Sequence, residues 1–259
     1  MKKCIIIILL CCAIFCYELT ASAENIWIDQ KLSIDSTKIK QAAVEATILE
    51  PDSSLRYKLM VTHGEQYYYY DLYPEETAVI PLQMGKGAYK FQLYEQAYDN
   101  YYNPVGKTKI YLSSKDENQV WLEPNVKVNY TAYTDRLLTE LKKWVSPDDS
   151  EKIKFQKISN VARYHYGYDY LAVIRKRLAT YVDLDYILTN YLGTCEELSV
   201  LAVAFFRLEG IPARLVIGKA DGRSHAWVEA LINGKIKLLD PSVTEYVQPT
   251  VTYIPERYY

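Results

Sequence analysis

The stretch that most constrains the fold runs from Gly193 to Leu208. Thr194 and Glu197 stand at the spacing of a capping box, which predicts a helix with Thr194 as N-cap and Cys195 as its first residue. The run that follows is almost wholly apolar, and Gly210 and Pro212 mark its stop. A helix that is apolar nearly all round has no face to turn to water, so it must cross a core with other elements packed about it. The chain supplies those elements on either side. Asp135 to Val145 carries Leu137, Leu138, Leu141 and Val145 at helical spacing, and Ile153 to Tyr166 repeats the pattern through Ile158, Val161 and Ala162. Past the apolar helix the period drops to two. Ala213 to Lys219, Ser224 to Leu231 and Lys235 to Asp240 read as strands, the last two joined by Asn233-Gly234, a strong hairpin signal. Residues 125–259 are therefore expected to form an α+β domain, helices first and an antiparallel sheet after.

Before residue 116 the pattern differs. Val44 to Glu50, Arg56 to Val61, Gln66 to Tyr73, Thr77 to Leu82, Tyr89 to Tyr94 and Thr108 to Leu112 are short, alternating and rich in aromatic and β-branched residues. Turn signals such as His63-Gly64 and Gly85-Lys86-Gly87 separate them. This predicts an immunoglobulin-like β-sandwich over residues 24–116, with a polar linker at Ser113 to Asn118. Tyr67-Tyr68-Tyr69-Tyr70 breaks strict alternation, but tyrosine is amphipathic enough to face either side of a sheet.

The five cysteines suggest a disulfide framework until they are placed: Cys4, Cys11, Cys12 and Cys16 crowd the first sixteen residues, and Cys195 stands alone. Lys2 and Lys3, an apolar run from Cys4 to Cys16, and Ala21-Ser22-Ala23 read as a secretory signal over residues 1–23. The apolar run is shorter than the roughly 20 residues needed to span a bilayer, so no permanent membrane anchor is expected after cleavage. The expected location is secreted, extracellular, with Cys195 as the one thiol of the mature chain. The formal net charge is -2. A chain without a basic excess has nothing with which to neutralise phosphates, so nucleic acid is not an expected partner.

A helix N-terminus carries a partial positive charge and free N–H groups, which favours a thiolate at that place. A lone cysteine is also often a small core hydrophobe, so Cys195 needs a base to be more than that. The mature chain offers His63, His165 and His225. His63 falls in a turn and His165 among helical tyrosines, where structural roles are expected. If Asn233 and Gly234 form the hairpin loop, Asp240 falls opposite Trp227. His225 is then a diagonal neighbour of Asp240 on the same face, about 5–8 Å apart at the Cβ atoms. Such a carboxylate can hold an imidazole in one tautomer, as a Cys-His pair requires. A surface histidine beside an unrelated strand-end aspartate would have the same spacing.

The ordered set Gly193-Thr194-Cys195, Arg207-Leu208-Glu209-Gly210-Ile211-Pro212-Ala213-Arg214, His225-Ala226-Trp227-Val228-Glu229 and Leu239-Asp240-Pro241 resembles the core of the transglutaminase-like superfamily. Tyr168-Asp169-Tyr170 resembles the Tyr-Asp element of many bacterial members. The resemblance covers about residues 130–245 and implies a papain-type α+β fold, with Cys195 as nucleophile, His225 as its base and later acid, and Asp240 as the orienting carboxylate. Family members often carry a Trp shortly before the Asp; Lys235-Ile236-Lys237 stands there instead. The Cys195 backbone N–H would supply one oxyanion donor, and Tyr168 is either the second or a packing residue. The implied activity is attack on a carboxamide or peptide carbonyl, a thioester on Cys195, and transfer to an amine or water. Protein or peptide substrates, wall-associated ones included, are the expected partners. No cofactor is implied: zinc would lack a recognisable ligand pair, and calcium an acidic loop. The alternative is a non-catalytic cell-surface binding or adhesion module on the same scaffold.

Overall fold

The computed structural model describes residues 25–113, 120–174, 182–243 and 251–259. The expected signal at 1–23 and most of the linker lie outside the described residues.

Two four-stranded antiparallel sheets make up the N-terminal region. One is ordered Ile26–Asp29, Leu32–Asp35, Ala43–Ile48, Thr77–Pro81, and the other Gln66–Leu72, Tyr57–His63, Gly87–Tyr98, Tyr101–Leu112. Alternate residues of both sheets, among them Leu32, Ile34, Val44, Leu59, Val61, Phe91 and Leu93, are buried in one apolar cluster. The tyrosine run shows how alternation survives a uniform sequence. Tyr68 and Tyr70 are buried while Tyr67 and Tyr69 face solvent, so the strand keeps its period of two by burying every second phenol. Two strands escape the sequence pattern. Ile26–Asp29 and Leu32–Asp35 are only four residues each, and Tyr101–Leu112 begins seven residues earlier than its alternation because Pro104 and Gly106 interrupt it. A register shift at Leu93/Tyr94 absorbs that interruption.

The C-terminal region is built about the helix Cys195–Leu208, whose residues Leu198 to Arg207 are all buried. It packs against the strands Ala213–Ala220 and Arg223–Ile232 and against the helices Thr134–Leu141, Glu151–Asn160 and Leu184–Asn190. Phe206 stacks on Phe155 with ring centroids 5.5 Å apart. The sheet is antiparallel, in the order Lys235–Leu239, Arg223–Ile232, Ala213–Ala220, Tyr253–Tyr258. The expectation of three strands thus gains a fourth, and Tyr253–Tyr258 lies on the edge opposite the hairpin. Arg207, buried at the helix end, donates to the carbonyls of Ala213, Glu123 and Tyr259. Those three bonds tie the helix end to the strand Ala213–Ala220, to Glu123 and to Tyr259, and burial lowers its guanidinium to about 10.

The second predicted helix is shorter than its apolar period suggests. Glu151–Asn160 is α-helical, and Val161–His165 widens into a π-turn. A 3.6-residue pattern does not distinguish the two, yet the wider turn re-aims the side chains that follow.

Candidate active site

Cys195 is the first residue of its helix, as the capping spacing predicts. Thr194, in extended conformation, donates its backbone N–H to Glu197 Oε2 at 2.7 Å. The thiol is partly exposed. Gly193 pairs in parallel with Tyr168 through the short strands Leu192–Gly193 and Gly167–Tyr168. The bonds Gly167 N–H to Tyr191 O (2.7 Å) and Asp169 N–H to Gly193 O (2.9 Å) clamp this bridge. The clamp sets the Tyr168 hydroxyl near the Cys195 sulfur and backbone N–H. Burial first, and the nearby sulfur second, push the phenol up to about 12.

The hairpin turn has the backbone that Asn-Gly implies: Asn233 and Gly234 both have positive φ, 49° and 73°. Its register runs from Ile232↔Lys235 to Val228↔Leu239, so Asp240 follows directly beyond Leu239. His225 Nε2 donates to Asp240 Oδ2 at 2.7 Å. The carboxylate is 1% exposed and the imidazole 18%. His225 also lies close enough to the Cys195 thiol to feel it. Burial alone would lower the imidazole, but the bond to Asp240 and the nearby thiol outweigh it and raise the ring to about 10. For Asp240 the balance runs the other way. Burial would raise its carboxyl, and the donors around it hold it below the ordinary range.

Two of those donors escaped the sequence reading. Tyr253 Oη donates to Asp240 Oδ2 at 2.8 Å. Ser242 donates twice to Oδ1, from its backbone N–H at 3.0 Å and its hydroxyl at 2.6 Å. The Ser242 contact is local and legible in Asp240-Pro241-Ser242, a sequence suited to an aspartate-capped turn. Tyr253 arrives on the edge strand, thirteen residues on, across a segment outside the described residues. Gly218 makes that approach possible: a Cβ there would lie 2.2 Å from Ile254 O and 2.9 Å from the Trp227 ring. Arg163, on the π-turn, donates to the Asp240 carbonyl at 3.1 Å.

The other histidines lie elsewhere. His63 ends its strand, stacked on Tyr89 at 4.7 Å and bonded to Ala88 O. His165 packs against Trp144 and lies 3.5 Å from Glu140. The strand that lacks a tryptophan, Lys235–Leu239, is exposed except at Leu239. Trp227 on the neighbouring strand is fully buried and packs 5.0 Å from Tyr253. Among the described residues, no group of three or more His, Cys, Asp or Glu side chains is arranged to hold a metal, and no helix is long and apolar enough to cross a membrane.

Residues 139–241 match the transglutaminase-like superfamily, which includes cysteine enzymes. Among solved structures, the chain is similar to a candidate cysteine protease from Cytophaga hutchinsonii, at 14% identity and TM-score 0.46, covering 80% of this chain and 70% of that one. It is also similar to a TGase, at 21% identity and TM-score 0.32, covering 58% of this chain and 45% of that one. A third is the periplasmic domain of TgpA from Pseudomonas aeruginosa bound to ethylmercury, at 14% identity and TM-score 0.34, covering 77% and 71%. No curated protein sequence matches the chain.

Proposed function

We propose that this chain, whose residues 139–241 belong to the transglutaminase-like superfamily, is a Cys-His-Asp thiol enzyme acting on peptide or carboxamide carbonyls through a thioester on Cys195. The observation that carries the reading is the 2.7 Å bond from His225 Nε2 to a 1% exposed Asp240, with the Cys195 thiol close enough to raise the imidazole.

With Nε2 committed to Asp240, Nδ1 is the nitrogen left to exchange a proton with the sulfur. The thiol passes its proton to His225, and the thiolate attacks the carbonyl carbon. The oxygen that becomes negative enters between the Cys195 backbone N–H and the Tyr168 hydroxyl and displaces their mutual contact, so that both donate to it. His225, now an imidazolium beside an ionised Asp240, protonates the leaving amine, and a thioester remains. An amine or water then gives its proton to His225 and attacks the thioester, which restores the thiolate and frees the product.

The proposal includes a secretory signal at residues 1–23, an extracellular location, and two domains: an immunoglobulin-like sandwich at 24–116 and a catalytic domain at 125–259. Alternate burial in two four-stranded antiparallel sheets supports the first domain. The substrates would be proteins or peptides outside the cytoplasm.

Iodoacetamide labelling across pH tests the site. Labelling of Cys195 should stay fast well below pH 8 and slow in His225→Ala; slow labelling with an ordinary thiol titration would overturn the enzyme reading. Incubation with a glutamine-containing protein and a labelled primary amine separates the two acceptors. Amine incorporation identifies a transferase, and fragment release without it a hydrolase.

A further inference from the structure

A second cleft lies away from the thiol. It encloses about 490 Å³ and is lined by Trp144, Lys157, Asn160, Val161, Tyr164 and His165, a size suited to a small ligand. Its walls come from the turn after Thr134–Leu141, the end of Glu151–Asn160, and the π-turn Val161–His165. The π-turn gives this segment two sides: Arg163 reaches the Asp240 carbonyl, while Tyr164 and His165 line the cleft.

The lining combines aromatic faces with hydrogen-bonding groups. Trp144 is 41% exposed and Tyr164 51%, so both present ring surface to whatever enters. The His165 ring is fixed by contacts to Trp144 (4.9 Å), Tyr191 (5.0 Å) and Tyr166 (5.2 Å). The amide of Asn160 is exposed, and no described residue hydrogen-bonds it. The one fixed charge among the lining residues is matched: Lys157 Nζ bonds Asp149 at 2.6 Å. Glu140 accepts from Lys143 at 2.6 Å and from Trp144 Nε1 at 3.4 Å, and His165 lies 3.5 Å away.

These features select among ligands. Among the described lining residues, an ionic ligand would find no unpaired fixed charge. An aliphatic side chain would strip water from Asn160, Lys157 and His165 and return no partner, a penalty for each polar group left unsatisfied. A sugar ring avoids both costs, because its C–H faces are apolar and its rim carries hydroxyls. We propose that this cleft binds a neutral saccharide, stacked against Trp144 and Tyr164, with its hydroxyls bonded by Asn160, Lys157 and His165. It stands apart from the reading of Cys195, since its lining includes none of Cys195, His225 and Asp240.

Calorimetric titration of the purified protein with neutral cello-, malto- and N-acetylglucosamine oligomers tests it. At least one series should saturate. Trp144→Ala and Tyr164→Ala should each weaken that binding about tenfold or more, with circular dichroism and iodoacetamide labelling of Cys195 unchanged. If Trp144→Ala does not fold, Tyr164→Ala decides. The proposal is overturned if no oligomer saturates up to about 10 mM, beyond the roughly 4 kcal/mol of a millimolar site. It is equally overturned if both folded variants bind as the parent does, or if short apolar peptides saturate the cleft and the sugars do not.

Discussion

Asp240 shows how a single side chain is prepared by its surroundings. Two donors reach each of its oxygens, His225 and Tyr253 on one and Ser242 twice on the other, so a carboxylate that is 1% exposed keeps its charge. Its pH dependence follows from the two shifts. His225 is raised from 6.5 to about 10, so its contribution to stability is fully present below pH 6.5 and is lost as pH rises toward 10. Asp240 is lowered from 3.8, so its contribution is present above that value and lost as pH falls through its folded value. Both coexist between pH 3.8 and 6.5. In that window the gap in unfolding free energy between the parent and His225→Ala should be widest, on the order of 2 kcal/mol, and it should shrink steadily toward pH 10. Urea melts at several pH values would show it; a gap that grows with pH contradicts the assignment. Tyr253→Phe removes one donor without changing ring volume. It should cost about 1 kcal/mol of stability and move the acid limb of the Cys195 labelling profile to higher pH, because Asp240 then takes up a proton more readily.

At the scale of elements, the hairpin was the most legible part of the chain and the edge strand the least. Asn-Gly fixes a two-residue loop because both positions adopt positive φ, and one loop length fixes the register and hence which residue lies near His225. Inserting one residue between Asn233 and Gly234 should therefore turn the strand after the loop over and carry Asp240 off the His225 face. Labelling of Cys195 at pH 6–7 should fall to the rate of His225→Ala; an insertion variant that labels like the parent would show that Asp240 does not act through the imidazole. Tyr253–Tyr258 could not be read in the same way. It contains Pro255, Glu256 and Arg257, its exposure does not alternate, and its pairing with Ala213–Ala220 shifts register between Ile217 and Gly218. The π-turn is hidden for a related reason: apolar spacing reports that a helix is buried, not how wide its last turn is.

At the scale of the whole molecule, the edge strand links three regions. Tyr253 bonds Asp240, Tyr258 stacks on the Arg214 guanidinium at 3.8 Å, and the Tyr259 ring packs edge-on against Tyr70 at 5.6 Å in the N-terminal sheet. Deleting residues 251–259 should therefore lower the stability of both regions. It removes the Tyr259 carbonyl that accepts from buried Arg207 and the ring that seals Tyr70, with a cost of about 3 kcal/mol or more expected from exposed apolar area and an under-satisfied buried charge. Denaturant melts followed by tryptophan fluorescence would measure it, and an unchanged midpoint would show that the strand is dispensable. The order of these residues along the chain also sets an order in time. A polypeptide made N-terminus first contains Cys195, His225 and Asp240 before Tyr253 is added, so during synthesis the carboxylate waits for its last donor and the sheet for its last edge.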